Sequence, residues 1–343
     1  MPKLTHVLGA TIAASALTLS ACGTQQGQPA TTTGDQLNVV VAFYPLQFVA
    51  ERVGGADAKI TNLTQPGAEA HDVELTPRQI AQISEADVVI YEKGFQPAVD
   101  TAIEQAKPAN ALDVATVVKL HPMTDTGDHV HDAGATPAPD DHGHDEHAHD
   151  TGATPTPDEH SGDEHAHDDT GTDPHIWLDP TNMVTISNSV ADTMGRARPD
   201  EAAAFRTNAA ALNDELTALD GAFRTGLQTC QRREFVVSHA AFGYLADRYN
   251  LVQIPLRGLS PDVEPSPARI AEVQGLAREH GITTIFYETL VSPAVAKSVA
   301  GDLGLKTDVL DPLEGVTDAS RGKNYIEIMN ANLSSLKAAN GCQ

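Results

Sequence analysis

The sequence predicts an α/β protein of two lobes, each built on a parallel-rich sheet, joined by one long rigid helix. Two observations predict it. Short β-branched runs alternate with helical patterns from Leu37 to Val114, and again from Glu234 to the C-terminus. Alternation of this kind builds parallel sheets covered on both faces. Between the two series runs one apolar stripe: Phe205, Ala209, Leu212, Leu216, Leu219, Phe223 and Leu227. Its spacings of three and four residues mark a single helix face. A helix over 199–228 would be roughly 43 Å long at 1.5 Å per residue, the length of a whole domain.

The elements follow in order. Leu37–Phe43 is a continuous apolar run and predicts a buried strand. A helix over 46–53 ends at Gly54-Gly55, and Lys59–Leu63 is the next strand. Thr76-Pro77 opens a helix to Glu85, with Thr as the cap and Pro at the first helical position. Asp87–Tyr91 is a strand, Pro97–Gln105 a helix and Ala111–Val114 a short strand. After an interruption, Thr181–Arg196 is helical and leads into the long helix. The second series has strands at 234–238, 251–254, 283–287 and 306–309. Its helices fall at 242–249, 267–280, 293–301 and 325–339. The first lobe is therefore 37–198, the linking helix 199–228 and the second lobe 229–343. Open α/β sheets bind ligands beyond the C-terminal strand ends, so the cleft between two such lobes is the expected site.

Charge is distributed unevenly. The 343 residues carry a formal net charge of −25. From His121 to Asp173 there are 15 Asp/Glu, 10 of the 15 His, and no Lys or Arg. The rest of the chain is only mildly acidic and has no basic stripe, which argues against nucleic-acid binding. Within the segment a block repeats: Asp132–Asp140 and Asp150–Asp158 each run into Asp-Glu-His-Ala-His-Asp. Without apolar residues such a tract cannot offset its ordering entropy, so 121–172 is expected to be a disordered loop in the first lobe. Its His142, His144, His147, His149, His165 and His167 interleave with carboxylates and form a secondary, weak metal-binding set.

The N-terminus reads as an address. Val7–Leu19 is an uncharged apolar run, too short to span a bilayer and suited to a signal peptide. It ends in Leu19-Ser20-Ala21-Cys22-Gly23, which resembles a bacterial lipoprotein box. That resemblance implies removal of 1–21 and lipidation of Cys22. Residues 22–36 then form a flexible tether, and the mature protein sits outside the cytoplasmic membrane, anchored to it. Cys230 and Cys342 remain, and in an oxidising compartment they are expected to pair as a disulfide.

Four candidate ligands stand at strand ends or helix starts. His71 lies in a loop before the Pro77 helix, and His175 lies just before another helix. His239 follows Phe235–Ser238, and Glu288 follows Thr284–Tyr287. Two come from each lobe. Three imidazoles and a carboxylate suit tetrahedral Zn(II) better than Ca(II) or Mg(II), which prefer oxygen. No HExxH or GxSxG motif occurs, and four protein ligands leave no open position for a catalytic water. An enzyme is not expected.

The stretches around these residues resemble a known family, the cluster A-I solute-binding lipoproteins of bacterial zinc and manganese ABC transporters. The matching segments are Pro66–Pro77, Asp173–Pro180, Val236–Tyr244, Gly258–Pro261 with Glu264–Pro267, and Asp311-Pro-Leu-Glu-Gly315. The resemblance runs from Leu37 to the end. It implies one metal between the lobes, held by His71, His175 and His239, with a variable fourth position. His239 third and Glu288 fourth resemble the zinc branch, where a His-rich insert is also common. The implied partners are a membrane permease and its separate cytoplasmic ATPase, with the binding protein acting as a monomer that carries Zn(II) as cargo. Manganese or iron binding, and a role as surface adhesin or metal buffer, stay open as alternatives.

Overall fold

The computed structural model describes residues 36–122 and 171–343. Strand β1 (Leu37–Val41) is central because its valines are apolar on both faces, and Val39, Val40 and Val41 are fully buried. It pairs in parallel with β2 (Ala58–Asn62) on one side and β3 (Val88–Tyr91) on the other. Strand β4 (Ala111–Asp113) extends the sheet beside β3, giving the order β2-β1-β3-β4. Helices α1 (Tyr44–Gly54), α2 (Pro77–Glu85) and α3 (Pro97–Ala106) make the crossovers. The predicted cap of α2 is present: Thr76 accepts from the Gln79 amide, and the Gln79 side chain reaches back to the Thr76 amide.

The second sheet repeats the pattern. Strands β5 (Glu234–Val237), β6 (Val252–Pro255), β7 (Thr284–Tyr287) and β8 (Lys306–Val309) are all parallel, in the order β6-β5-β7-β8. Its helices are α6 (Gly243–Tyr249), α7 (Pro267–Glu279), α8 (Ala294–Leu303) and α9 (Tyr325–Asn340). Each sheet therefore has a switch point, between β1 and β3 and between β5 and β7, where crossovers leave in opposite directions.

Helix α4 (Pro180–Ala197) precedes α5 (Ala202–Gly226). The expected helix over 199–228 is shorter than predicted. Pro199–Glu201 winds as a 3₁₀ turn, with the Glu201 amide bonded to the Arg198 carbonyl, and regular helix ends at Gly226. Its 25 residues span about 38 Å. All seven residues of the apolar stripe are buried.

The core is continuous across the lobes. Phe43, Leu46 and Trp177 share one apolar cluster with Phe235, Tyr325 and Leu336, while Val236, Ile254, Ile285 and Val299 form a smaller one in the second lobe. Two reciprocal buried hydrogen bonds tie the lobes together. Trp177 Nε1 donates to the Pro312 carbonyl at 2.7 Å, and Tyr325 Oη donates to the Trp177 carbonyl at 2.6 Å. Cys230 and Cys342 form the expected disulfide, joining the entry of β5 to the tail after α9.

The His/Asp-rich insert leaves and re-enters through a paired base. Pro122 and Thr172 form an antiparallel bridge, and the Asp173 amide donates to the His121 carbonyl. The weak-site histidines at 142, 144, 147, 149, 165 and 167 lie outside the described residues, as do Cys22 and the tether before Gln36. Among the described residues no helix is long and apolar enough to cross a membrane.

Candidate metal centre

Four loops at the C-terminal ends of strands converge on one point between the sheets. His71 comes from the loop between β2 and α2. His175 precedes the 3₁₀ turn Ile176–Leu178 that leads into α4. His239 directly follows β5, and Glu314 lies in the loop after β8. One donor atom from each lies within 4.8 Å of the other three. Glu314 Oε1 sits 3.4 Å from His71 Nε2, 3.3 Å from His175 Nε2 and 3.2 Å from His239 Nε2. A tetrahedral ion with bonds of about 2.05 Å has ligand–ligand edges of about 3.3–3.4 Å. The three measured edges match that figure.

Orientation agrees with spacing. His175 Nε2 is buried and makes no hydrogen bond despite its distance to Glu314, and Glu314 Oε2 is also without a partner. Buried polar atoms left this way are costly unless a cation receives them. His175, His239 and Glu314 are fully buried, while the His71 side chain is 12% exposed and faces the opening. Phe95 packs edge-on against His71 at 4.7 Å, and Trp177 lies 5.3 Å from His175, so apolar rings wall the site from water. Gln96 holds the His71 loop in place by donating to Thr64 Oγ1 and the Ala70 carbonyl.

The structure therefore brings His71, His175 and His239 together, as expected from sequence, and puts Glu314 rather than Glu288 beside them. Glu288 stands one imidazole away, with Oε1 2.9 Å from His239 Nδ1. The cause is topological. Strands β5 and β7 are neighbours, so the residues that follow them meet edge to edge. The loop after β8 instead turns back over the cleft. Leu313, buried at φ 62°, makes that turn, an uncommon conformation for a branched residue. Asp311 holds it in place, accepting from the Leu313 amide and from the Thr289 and Ser320 hydroxyls. Glu314 lies in the Asp311–Gly315 motif that the sequence displays. The left-handed residue that aims it into the cleft leaves no mark in the sequence.

The buried ionisable groups shift one another against the effect of burial. Burial alone would raise the Glu314 carboxyl, but its three imidazole neighbours outweigh it and hold it well below its ordinary 4.5. Burial alone would lower His239 and His175. For His239, Glu288 and Glu314 win and hold it well above 6.5; for His175, Asp173 and Glu314 win and raise it. Glu69, whose Oε1 accepts from the His71 amide, is pushed up to about 7 by burial and by the Glu314 charge.

Comparison with known proteins places the chain in a family. The family described as "ZnuA: Zinc-uptake complex component A periplasmic" matches residues 39–339. The zinc-binding lipoprotein AdcA of Streptococcus pneumoniae is 34% identical over 324 residues, covering 94% of this chain but only 58% of AdcA. The high-affinity zinc uptake system protein ZnuA of Bacillus subtilis is 33% identical over 329 residues, covering 95% of both chains. Among solved structures, the Zn(II)-bound ZnuA-like domain of S. pneumoniae AdcA superposes with a TM-score of 0.67 at 29% identity, covering 89% of this chain and 99% of that domain. A laminin-binding adhesin of Streptococcus agalactiae superposes with a TM-score of 0.70 at 26% identity, with coverage of 89% and 99%. With the family model spanning nearly all of the described fold, this chain belongs to the family of zinc-uptake complex component A.

Proposed function

We propose that this protein captures Zn(II) between its lobes and hands it to the permease of an ABC-type importer driven by a separate ATPase. The observation that carries the reading is the set of four donors, His71, His175, His239 and Glu314, all within 4.8 Å of one another, with Glu314 Oε1 at tetrahedral edge lengths from the three imidazoles. Three nitrogens and one oxygen favour Zn(II) over the harder divalent cations. Four protein donors also fill a tetrahedral sphere and leave no place for a reactive water, so the role is binding and not hydrolysis. In this reading Cys22 carries the lipid anchor, and the mature chain works outside the cytoplasmic membrane as a monomer. The histidines of the insert gather metal weakly beside the tight site.

The test is metal analysis of the purified full chain, with Zn(II)/Mn(II) competition on wild type and on His239→Ala. One tight zinc equivalent in wild type, lost in His239→Ala, is the expected result. Preference for Mn(II), or unchanged tight binding in His239→Ala, would overturn the assignment. A variant lacking 129–169 should keep the tight equivalent and lose the weak ones. Surface adhesion is a second reading, favoured by the likeness to the laminin-binding adhesin. A direct laminin-binding measurement decides it.

A further inference from the structure

Glu288 and Asp173 have no place among the four donors, yet both are buried and both touch a ligand. Asp173 Oδ1 lies 2.7 Å from His175 Nδ1, and Glu288 Oε1 lies 2.9 Å from His239 Nδ1. Each pair is built within one lobe. Asp173 is two residues before His175 and also accepts from its amide at 3.0 Å. Glu288 and His239 follow the neighbouring strands β7 and β5. The third imidazole, His71, has no carboxylate on Nδ1 among the described residues.

A neutral imidazole carries one proton on one of its two nitrogens. A carboxylate only accepts, so a carboxylate on Nδ1 places the proton there and leaves the Nε2 lone pair free. That is the nitrogen which faces the donor cluster in both histidines. The same hydrogen bond fixes the ring plane and makes Nε2 a stronger donor.

We propose that Asp173 and Glu288 are positioning residues, one supplied by each lobe, that set the tautomer and aim of His175 and His239 for the metal. This rests on the zinc reading above. Each lobe thereby carries a half-built site before the metal arrives.

Glu288→Gln and Asp173→Asn in the full chain test the proposal, and each can be read without the other should one fail to fold. An amide in either place can donate to Nδ1 and force the proton onto Nε2, the wrong side. Zinc affinity measured against a competing chelator should fall by about 10- to 100-fold in each variant, with one tight equivalent retained. Bound Co(II) should keep its tetrahedral absorption. The ¹⁵N-coupled Nδ1 proton resonance of the affected histidine in the zinc-loaded protein should move or vanish, a change that a merely structural role would not produce. Affinity within twofold of wild type would sink the proposal. So would loss of the tetrahedral Co(II) spectrum, which would make the carboxylate a direct ligand. If wild type itself lacks a tight zinc equivalent, the zinc reading fails first, and that outcome is separately visible.

Discussion

Replacing Glu314 with Gln keeps the shape of the side chain and removes its charge. Glu314 Oε1 lies 3.2–3.4 Å from all three Nε2 atoms, so the substitution strikes the centre of the site. Zinc bound by four protein ligands is worth about 10–16 kcal/mol in small folded sites, and one ligand's share is about 2.5–4 kcal/mol. Each 1.4 kcal/mol is a factor of ten, so the loss should be about 10²- to 10³-fold in affinity. Competition against a chromophoric chelator at pH 7.5 measures it directly. Cobalt absorption should report a water entering the vacated position. The reasoning is refuted if Glu314→Gln binds zinc within threefold of wild type while Glu288→Gln abolishes binding. That pair of results would return the fourth ligand to Glu288.

Four further outcomes are expected. Zinc affinity should rise with pH through a window above 6.5, because His175 and His239 are both raised above that value and must lose protons to bind metal; flat affinity between pH 6 and 8 would contradict this. The metal-free protein should show the opposite trend. The raised histidines contribute stability that is complete below about pH 6.5 and lost as pH rises through their folded values, while the depressed Glu314 contributes stability present above about 4.5 and lost on acidification, so the apo melting temperature should peak between those values. Trp177→Phe should cost about 3 kcal/mol, from the cavity left by the indole and the orphaned Pro312 carbonyl, and a melting curve superposing on wild type would count against the lobe-to-lobe bond. Replacing Cys230 and Cys342 by Ser opens a loop of 112 residues and should cost about 4 to 5 kcal/mol on the chain-entropy account, read by denaturant unfolding.

The elements of this fold were legible because each announces itself locally. The valines of β1 are apolar on consecutive positions, which only a strand covered on both faces tolerates. The stripe keeps its helical period along α5 to Leu227 at its C-cap, and every residue in it is buried. Helix α2 shows its start in Thr76-Pro77, and the cap forms as drawn. The order of strands in the sheets was not legible, since period and propensity say nothing about which neighbour a strand takes. That order decides which carboxylate joins the three imidazoles. Glu288 follows a strand directly, as His239 does, and the likeness made it the natural choice. Adjacency of β5 and β7 turns the likeness into a side-by-side contact instead of a shared ligand.

The same sheet order explains why the site needs a long loop as well as strand ends. Side chains leaving β5 and β7 can approach each other, but they lie on one wall of the cleft. His71 and His175 lie on the other wall. Closing a tetrahedron between the walls requires a donor that reaches over the gap, and the loop after β8 supplies it. Pro312, beside Glu314's turn, is hydrogen-bonded by Trp177, which sits two residues from His175. Glu314 is thus fixed against the opposite lobe by the same segment that carries His175. Strain at Leu313 is tolerated because the Asp311 hydrogen bonds and the Trp177 contact over-determine the loop. A carboxylate held so firmly is preorganised rather than mobile. The continuous core between the lobes says the same of His175 and His239. Of the four donors, His71 alone is partly exposed and lacks a carboxylate behind it among the described residues, so the site is rigid on three sides and open on one.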